Sequence, residues 1–340
     1  MRAHSRGFEN LDHHRIPDGH DRSCCDRALS CWAGVGLVFL LRQDVGLLLR
    51  SLAVVQMKNS APSHPWLFFA LIYGFSAPFW ILSMQMGPSG LPDNLPVTDI
   101  GATLTPTIAA AILRYREAGA RGVRDLFRRT FDYRRIKNKR WLVAAVLIFP
   151  LLYLVTYFAM RVMAYPVPTV WNPSPALLGV FLLFFVAATA EELGYSAYAA
   201  DALQSRMTAI HAAVVIAPFW ALWHLPSMMA MEQSTELILW GLGVMVAVRI
   251  LSVWIYNNAG ASAFAVISMH VVANTARTGY PGGRSGYELG DGSVAYAIIM
   301  VFAVIVVILW RPSTLANFLG RKSVNPSMPN INSGVSAHRR

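Results

Sequence analysis

The apolar positions of this chain fall in long unbroken runs, not in the alternation of half-buried strands. From residue 66 onward, eight runs of about 17–25 residues are almost wholly apolar: 66–85, 98–115, 141–163, 176–200, 207–229, 237–256, 261–277 and 293–310. A helix rises 1.5 Å per residue, so runs of this length match the hydrocarbon thickness of a bilayer. The pattern predicts an all-α polytopic membrane protein with about eight transmembrane helices in one bundle, and the polar groups of its later spans predict a cytoplasm-facing polar cavity within it.

The polar stretches between the runs set the expected orientation. The loop 86–97, MGPSGLPDNLPV, is rich in Pro and Gly and has no Lys or Arg. The loop 116–140, REAGARGVRDLFRRTFDYRRIKNKR, is strongly basic. Short basic loops stay in the cytoplasm, so 116–140 is expected inside and 86–97 outside. Alternation then puts both termini in the cytoplasm of a multi-pass cell-membrane protein. The short loop 230–236 carries Glu232 and Glu236 and falls outside, whereas 278–292, with Arg284, Glu288 and Asp291, favours neither side. Within the basic loop, Val123, Leu126, Phe127 and Phe131 recur at 3–4 spacing. That spacing fits an amphipathic helix on the membrane surface, and a solvated basic loop fits the composition equally well.

Residues 1–56 differ from the rest. They hold Cys24, Cys25 and Cys31, all the cysteines of the chain, and four of its nine histidines, His4, His13, His14 and His20. The apolar stretch WAGVGLVFLL is about half a span. We expect 1–56 to be a disordered extension or a mis-assigned start, 57–312 the transmembrane domain, and 313–340 a disordered polar tail. The cysteines have neither disulfide nor zinc-site spacing.

Composition agrees with the pattern. Hydrophobic residues make up 55% and charged residues 14%, against about 25% charged in a soluble domain. The net charge of +11 does not signal nucleic-acid binding, because eleven of the 29 basic residues lie between Arg114 and Arg140. No internal repeat suggests a repeat-built transporter.

Four late spans carry ionisable side chains: Glu191 and Glu192, His224, Arg249, and His270. An acidic side chain at a helix centre costs about 2.5–3.5 kcal/mol on insertion scales, and two together cost more unless one is protonated or partnered. Glu191 lies about 14 residues before the turn near 203–207 and His224 about 19 after it, so both sit roughly 20–28 Å from that tip on neighbouring helices. Asn274 follows His270 by four residues and shares its helix face. A carboxylate paired with an imidazole can deprotonate water. A second imidazole with an amide can stabilise an oxyanion. Alternatively, a glutamate and two histidines can hold zinc. Either arrangement suits peptide-bond hydrolysis. The plainer readings make each histidine a helix–helix hydrogen bonder, Asn274 interhelical glue, and Trp220 and Trp223 aromatic-belt residues.

Together these residues resemble the CPBP intramembrane proteases, also called the CAAX-protease/bacteriocin-processing or Abi family. That family's pattern has three parts in successive helices: EExxxR, FxxxH and HxxxN. Here they read Glu191-Glu192-Leu-Gly-Tyr-Ser196, Trp220-Ala-Leu-Trp-His224-Leu-Pro and His270-Val-Val-Ala-Asn274. The resemblance covers about 57–310 and is most specific over 185–276. It implies an eight-helix bundle and a membrane endopeptidase, of metalloprotease or glutamate type, that cleaves a membrane-associated protein or peptide with activated water. Members include the eukaryotic endopeptidase that trims the last three residues of prenylated CAAX proteins, and bacterial members linked to bacteriocin processing or self-immunity.

Carried over, Glu191 and His224 would activate water, Glu192 would support them, and His270 with Asn274 would hold the oxyanion. A zinc ion, if used, would sit on Glu191, His224 and His270. The implied partners are the lipid bilayer and the membrane-associated substrate. Two positions depart from the pattern: Ser196 replaces the Arg and Trp220 the Phe. Arg249, in the next-but-one span, is the expected substitute for the lost cation. The alternative readings are an inactive member serving as an immunity or scaffold protein, and a proton-coupled transporter using Glu191, Glu192 and His270.

Overall fold

A computed structural model describes residues 62–86, 96–169 and 174–316. These residues all fall within the unit Ser60–Arg340. The expectations for 1–56, for its cysteines and histidines, and for the tail beyond 316 lie outside the described residues.

Among the described residues the fold is entirely helical. The longer elements are α1 (Pro65–Met86), α2 (Asp99–Thr103), α3 (Thr105–Arg128), α4 (Arg140–Val162) and α5 (Ala176–Gly194). A π-helical turn, Tyr195–Ala200, joins α5 to α6 (Asp201–Gln204). Then come α7 (Ala209–Ala230), α8 (Thr235–Asn258), α9 (Ala263–Thr278), α10 (Gly283–Tyr287) and α11 (Ser293–Leu309). Each predicted apolar run falls on one or more of these helices.

Five helical stretches are long and apolar enough to cross a bilayer: α1, α4, 176–204, α7 and α8. The other three predicted spans differ in kind. The run 98–115 is interrupted at Leu104, between α2 and the start of α3 at Thr105, with Pro106 in the first turn of α3. Helix α9 has 16 residues, and α11 is apolar with 17.

Helix α9 is the shared wall of the bundle. Ala265, Val266 and Met269 enter one buried cluster with α4, α8 and α11. Ala263, Ile267 and Val271 enter a second with α1, α3, α5 and α7. The helix is capped from the basic segment: Asp132 accepts from the Ser262 hydroxyl at 2.6 Å and from the Phe264 amide at 3.1 Å. A carboxylate at this end also complements the helix dipole.

The basic segment is therefore no solvated loop. Gly119, with φ of 60°, breaks α3 and turns residues 120–128 aside. Leu126 is buried while Phe127 and Phe131 stay exposed, so the predicted apolar stripe is divided between the core and the surface. Arg129 donates to Asp201 at 2.7 Å, to the Ala261 carbonyl at 2.6 Å and to the Tyr256 hydroxyl. These contacts tie the basic segment across the ends of α6, α8 and α9.

Gly194 marks a close approach of α5 to the start of α3. A Cβ there would lie 2.6 Å from Pro106 Cβ and 2.8 Å from that residue's carbonyl group. In an open helix, Gly→Ala stabilises by up to about 1 kcal/mol. Here Gly194→Ala forces α5 from α3 and is expected to cost about 1–3 kcal/mol. A melting temperature in detergent that rises or stays constant would contradict this packing.

Candidate active site

The polar groups predicted inside the spans converge. Glu191 and Glu192 are both buried, on the last turns of α5 before the π-helical turn. Successive residues on a helix point about 100° apart, so the two carboxylates meet different partners.

Glu192 is fully enclosed. Arg249 Nη1 from α8 donates to its Oε2 at 3.0 Å, and the Ser196 hydroxyl reaches the same oxygen at 2.5 Å. His270 Nδ1 from α9 lies 3.0 Å from Oε1. The π-helical turn contains Ser196, and such turns often occur at functional positions. Arg249 is 1% exposed, and its guanidinium carbon stands 4.4 Å from the centre of the Trp220 ring. This cation–π contact is strongest where water is excluded.

Glu191 faces α7. Trp220 Nε1 donates to its Oε2 at 2.9 Å, and His224 Nε2 lies 3.9 Å from that same oxygen. His224 Nδ1 is 2.8 Å from the Trp220 carbonyl. A carbonyl only accepts, so Nδ1 carries a proton, and in the neutral ring Nε2 is the unprotonated nitrogen that faces Glu191.

Trp220 and Trp223 are not belt residues. Both are buried, and Trp223 Nε1 donates to Ser76 at 2.8 Å. The Ser76 hydroxyl pairs with that of Thr105 at 2.7 Å, which fixes α1 and the start of α3 behind the site. His211 stays at the periphery, bonded to Thr208.

A cavity of about 350 Å³ contains Glu191, Glu192, His224, His270 and Asn274 in its wall. Three sets of residues escaped the sequence reading. Asp99 on α2 lines the cavity and accepts from the Ser227 hydroxyl. Arg277 lies one turn beyond Asn274, and Arg284 reaches in from α10. The one sequence signal for the last was the i, i+4 spacing of Arg284 and Glu288.

The sequence places the basic segment and the cavity opening on one cytoplasmic face. In the structure the lining comes from residues 183–192 of α5, 220–228 of α7, 241–252 of α8 and 269–277 of α9. The basic end is closed by Arg129, Asp201 and Tyr256, above which Ala199, Leu203 and Ile216 are fully buried.

No group of three or more His, Cys, Asp or Glu side chains among the described residues is placed to hold a metal ion. Glu192 and His270 Nδ1 are engaged with each other, and Arg249 stands beside them.

A family model described as type II CAAX prenyl endopeptidase Rce1-like matches residues 171–276. Those residues contain all three parts of the constellation. The core of this chain is CPBP-like. It is also similar to the CAAX prenyl protease 2 of Methanococcus maripaludis, at 25% identity over 176 residues. That match spans 50% of this chain and 65% of the relative.

Within this CPBP-like core, the cation of EExxxR has moved to another helix. Arg249 meets Glu192 from α8, where Ser196 stands in the pattern's own position. Removing one partner of a buried ion pair costs about 3–5 kcal/mol. Arg249→Gln should lower the melting temperature sharply. Adding Ser196→Arg in the same chain should restore most of the loss, since that position already touches Glu192. An unchanged melting temperature for Arg249→Gln would show that Glu192 does not depend on it.

Proposed function

We propose that this chain is an integral-membrane endopeptidase that hydrolyses a peptide bond of a membrane-associated peptide or protein with activated water. The observation that carries this reading is the convergence of Glu191 Oε2 and His224 Nε2 at 3.9 Å. That spacing is beyond a direct hydrogen bond and suits two groups sharing one water molecule. Glu191 takes a proton from the water, and His224 Nε2 accepts a hydrogen bond that orients it. The water oxygen adds to the substrate carbonyl carbon. Collapse of the tetrahedral intermediate breaks the C–N bond, and the proton held on Glu191 passes to the departing amine.

The oxyanion falls to His270 and Asn274, which share one face of α9. Glu192 holds His270 Nδ1–H. A second proton on Nε2 makes the ring a cationic donor toward the cavity. Glu191, Glu192, Arg249 and His270 then sum to zero charge, as a low-dielectric site requires. Arg249 also answers the departure that favoured an inactive scaffold, because the cation missing at Ser196 is supplied from α8.

Cleavage of a quenched-fluorescent peptide library by the purified protein tests the reading. Glu191→Gln and His224→Ala should each reduce the rate by about 10²-fold or more, while a chelator leaves it unchanged. Absence of cleavage by folded wild type would sink the protease assignment.

The excess of Lys and Arg in 114–140 favours the cytoplasm for that end of the bundle. In a chain whose Cys24, Cys25 and Cys31 are replaced by Ser, Ser234→Cys should react with an impermeant maleimide on intact cells. Lys137→Cys should react only after permeabilisation. The reverse pattern would place the basic segment outside.

A further inference from the structure

Asp99 is a carboxylate of the cavity wall that the hydrolytic chemistry does not use. It stands on α2, half-buried, and lines the cavity together with Ser227 of α7. The Ser227 hydroxyl donates to its Oδ2, and that is its one side-chain hydrogen bond among the described residues. The cations of the cavity are engaged elsewhere. Arg277 and Arg284 face Glu288 at 3.7 and 3.0 Å, and Arg249 is paired with Glu192. His224 is turned to Glu191 and the Trp220 carbonyl, and His270 to Glu192. The segment 86–97, which leads into α2, has no Lys or Arg to offer. A half-buried carboxylate held by a single hydroxyl keeps its charge at a cost until a cation joins it.

The surroundings of Asp99 say which cation. One carboxylate and one hydroxyl are too few ligands for a metal ion. They suit an ammonium or guanidinium group, which donates hydrogen bonds to oxygens of both kinds. Trp80, Trp223, Met228 and Met231 line the same cavity. Such a wall accepts the apolar stem of a lysine or arginine while its head group reaches the carboxylate. Helix α7 sets the distance from the chemistry. Ser227 comes three residues after His224, on the same helix face and about 4.5 Å farther along the axis. An extended peptide advances about 3.3–3.6 Å per residue, so the pair Asp99 and Ser227 meets a side chain within about two residues of the bond under attack.

We infer that Asp99, held by Ser227, forms a subsite for a cationic side chain of the substrate, a lysine or arginine within about two residues of the cleaved bond. Asp99 selects the peptide and does not touch the reacting atoms. The inference deepens the endopeptidase reading and rests on it for its biological meaning, but the subsite can be tested by binding alone.

The test is equilibrium binding of N-acetylated, C-amidated apolar pentapeptides to the purified full-length protein. Each peptide carries one lysine, moved through the five positions, and is compared with the same peptide bearing norleucine there. At one position lysine should bind about tenfold tighter than norleucine. Asp99→Asn should bring that lysine peptide down to the norleucine affinity, and binding of the norleucine peptide shows that the variant is folded. Asp99→Glu and Ser227→Ala should each keep part of the preference. Equal binding of lysine and norleucine at every position, or a preference that survives Asp99→Asn, would overturn the inference. Where cleavage is seen, the preference should appear in KM, and a preference carried in kcat alone would count against the subsite. Failure of the protease reading shows instead as no cleavage with the lysine preference intact.

Discussion

A carboxylate buried in the middle of an apolar helix needs a cation, and the pairing of Glu192 with Arg249 is the constraint on which the centre of this protein turns. The pair joins α5 to α8 directly. It reaches α9 because Glu192 also holds His270, and α7 because Arg249 lies against the ring of Trp220. Trp220 then serves the neighbouring carboxylate twice. Its indole donates to Glu191, and its carbonyl sets the tautomer of His224. Four helices are placed by one ion pair, and the two imidazoles receive different tasks from it. Within this network Arg249 Nε is buried without a hydrogen-bond partner among the described residues.

The two ends of the bundle are built on opposite principles. At the basic end, Asp132 caps α9 and Arg129 ties three segments together, over a layer of fully buried alanine, leucine and isoleucine. At the other end the helices spread around a cavity lined by tryptophans, methionines and a few charges. Helix α9 belongs to both clusters of the core and cannot shift without disturbing each.

Much of the fold was legible in the sequence because membrane helices announce themselves by length and apolarity. The adjacent Glu191 and Glu192 were legible for the same reason, as nothing structural excuses two acids in such a run. The level of His224 against Glu191 followed from counting residues along two antiparallel helices. Arg249 could be named as the substitute cation because few intramembrane charges were available. The structure then supplied what counting cannot, which oxygen it meets and which ring it covers.

What stayed hidden was set by rotation and by end effects. A helix that is apolar all round gives no phase, so its sequence does not say which face meets which neighbour. Trp220 and Trp223 therefore read as belt residues until packing turned them inward. The break at Leu104, the capping of α9 by Asp132 and the entry of Asp99 and Arg284 into the cavity depend on loops folding back over helix ends. Charge counting describes loops, whereas a cavity forms where helices fail to meet. The sequence by itself determined that helices cross a membrane and that acids and imidazoles lie at one depth within them. Tertiary structure alone decided which carboxylate is neutralised, which faces His224, and which end of the bundle is open to a ligand. Those outcomes depend on contacts between residues 29 to 78 positions apart, whose energies no local pattern of hydrophobicity records.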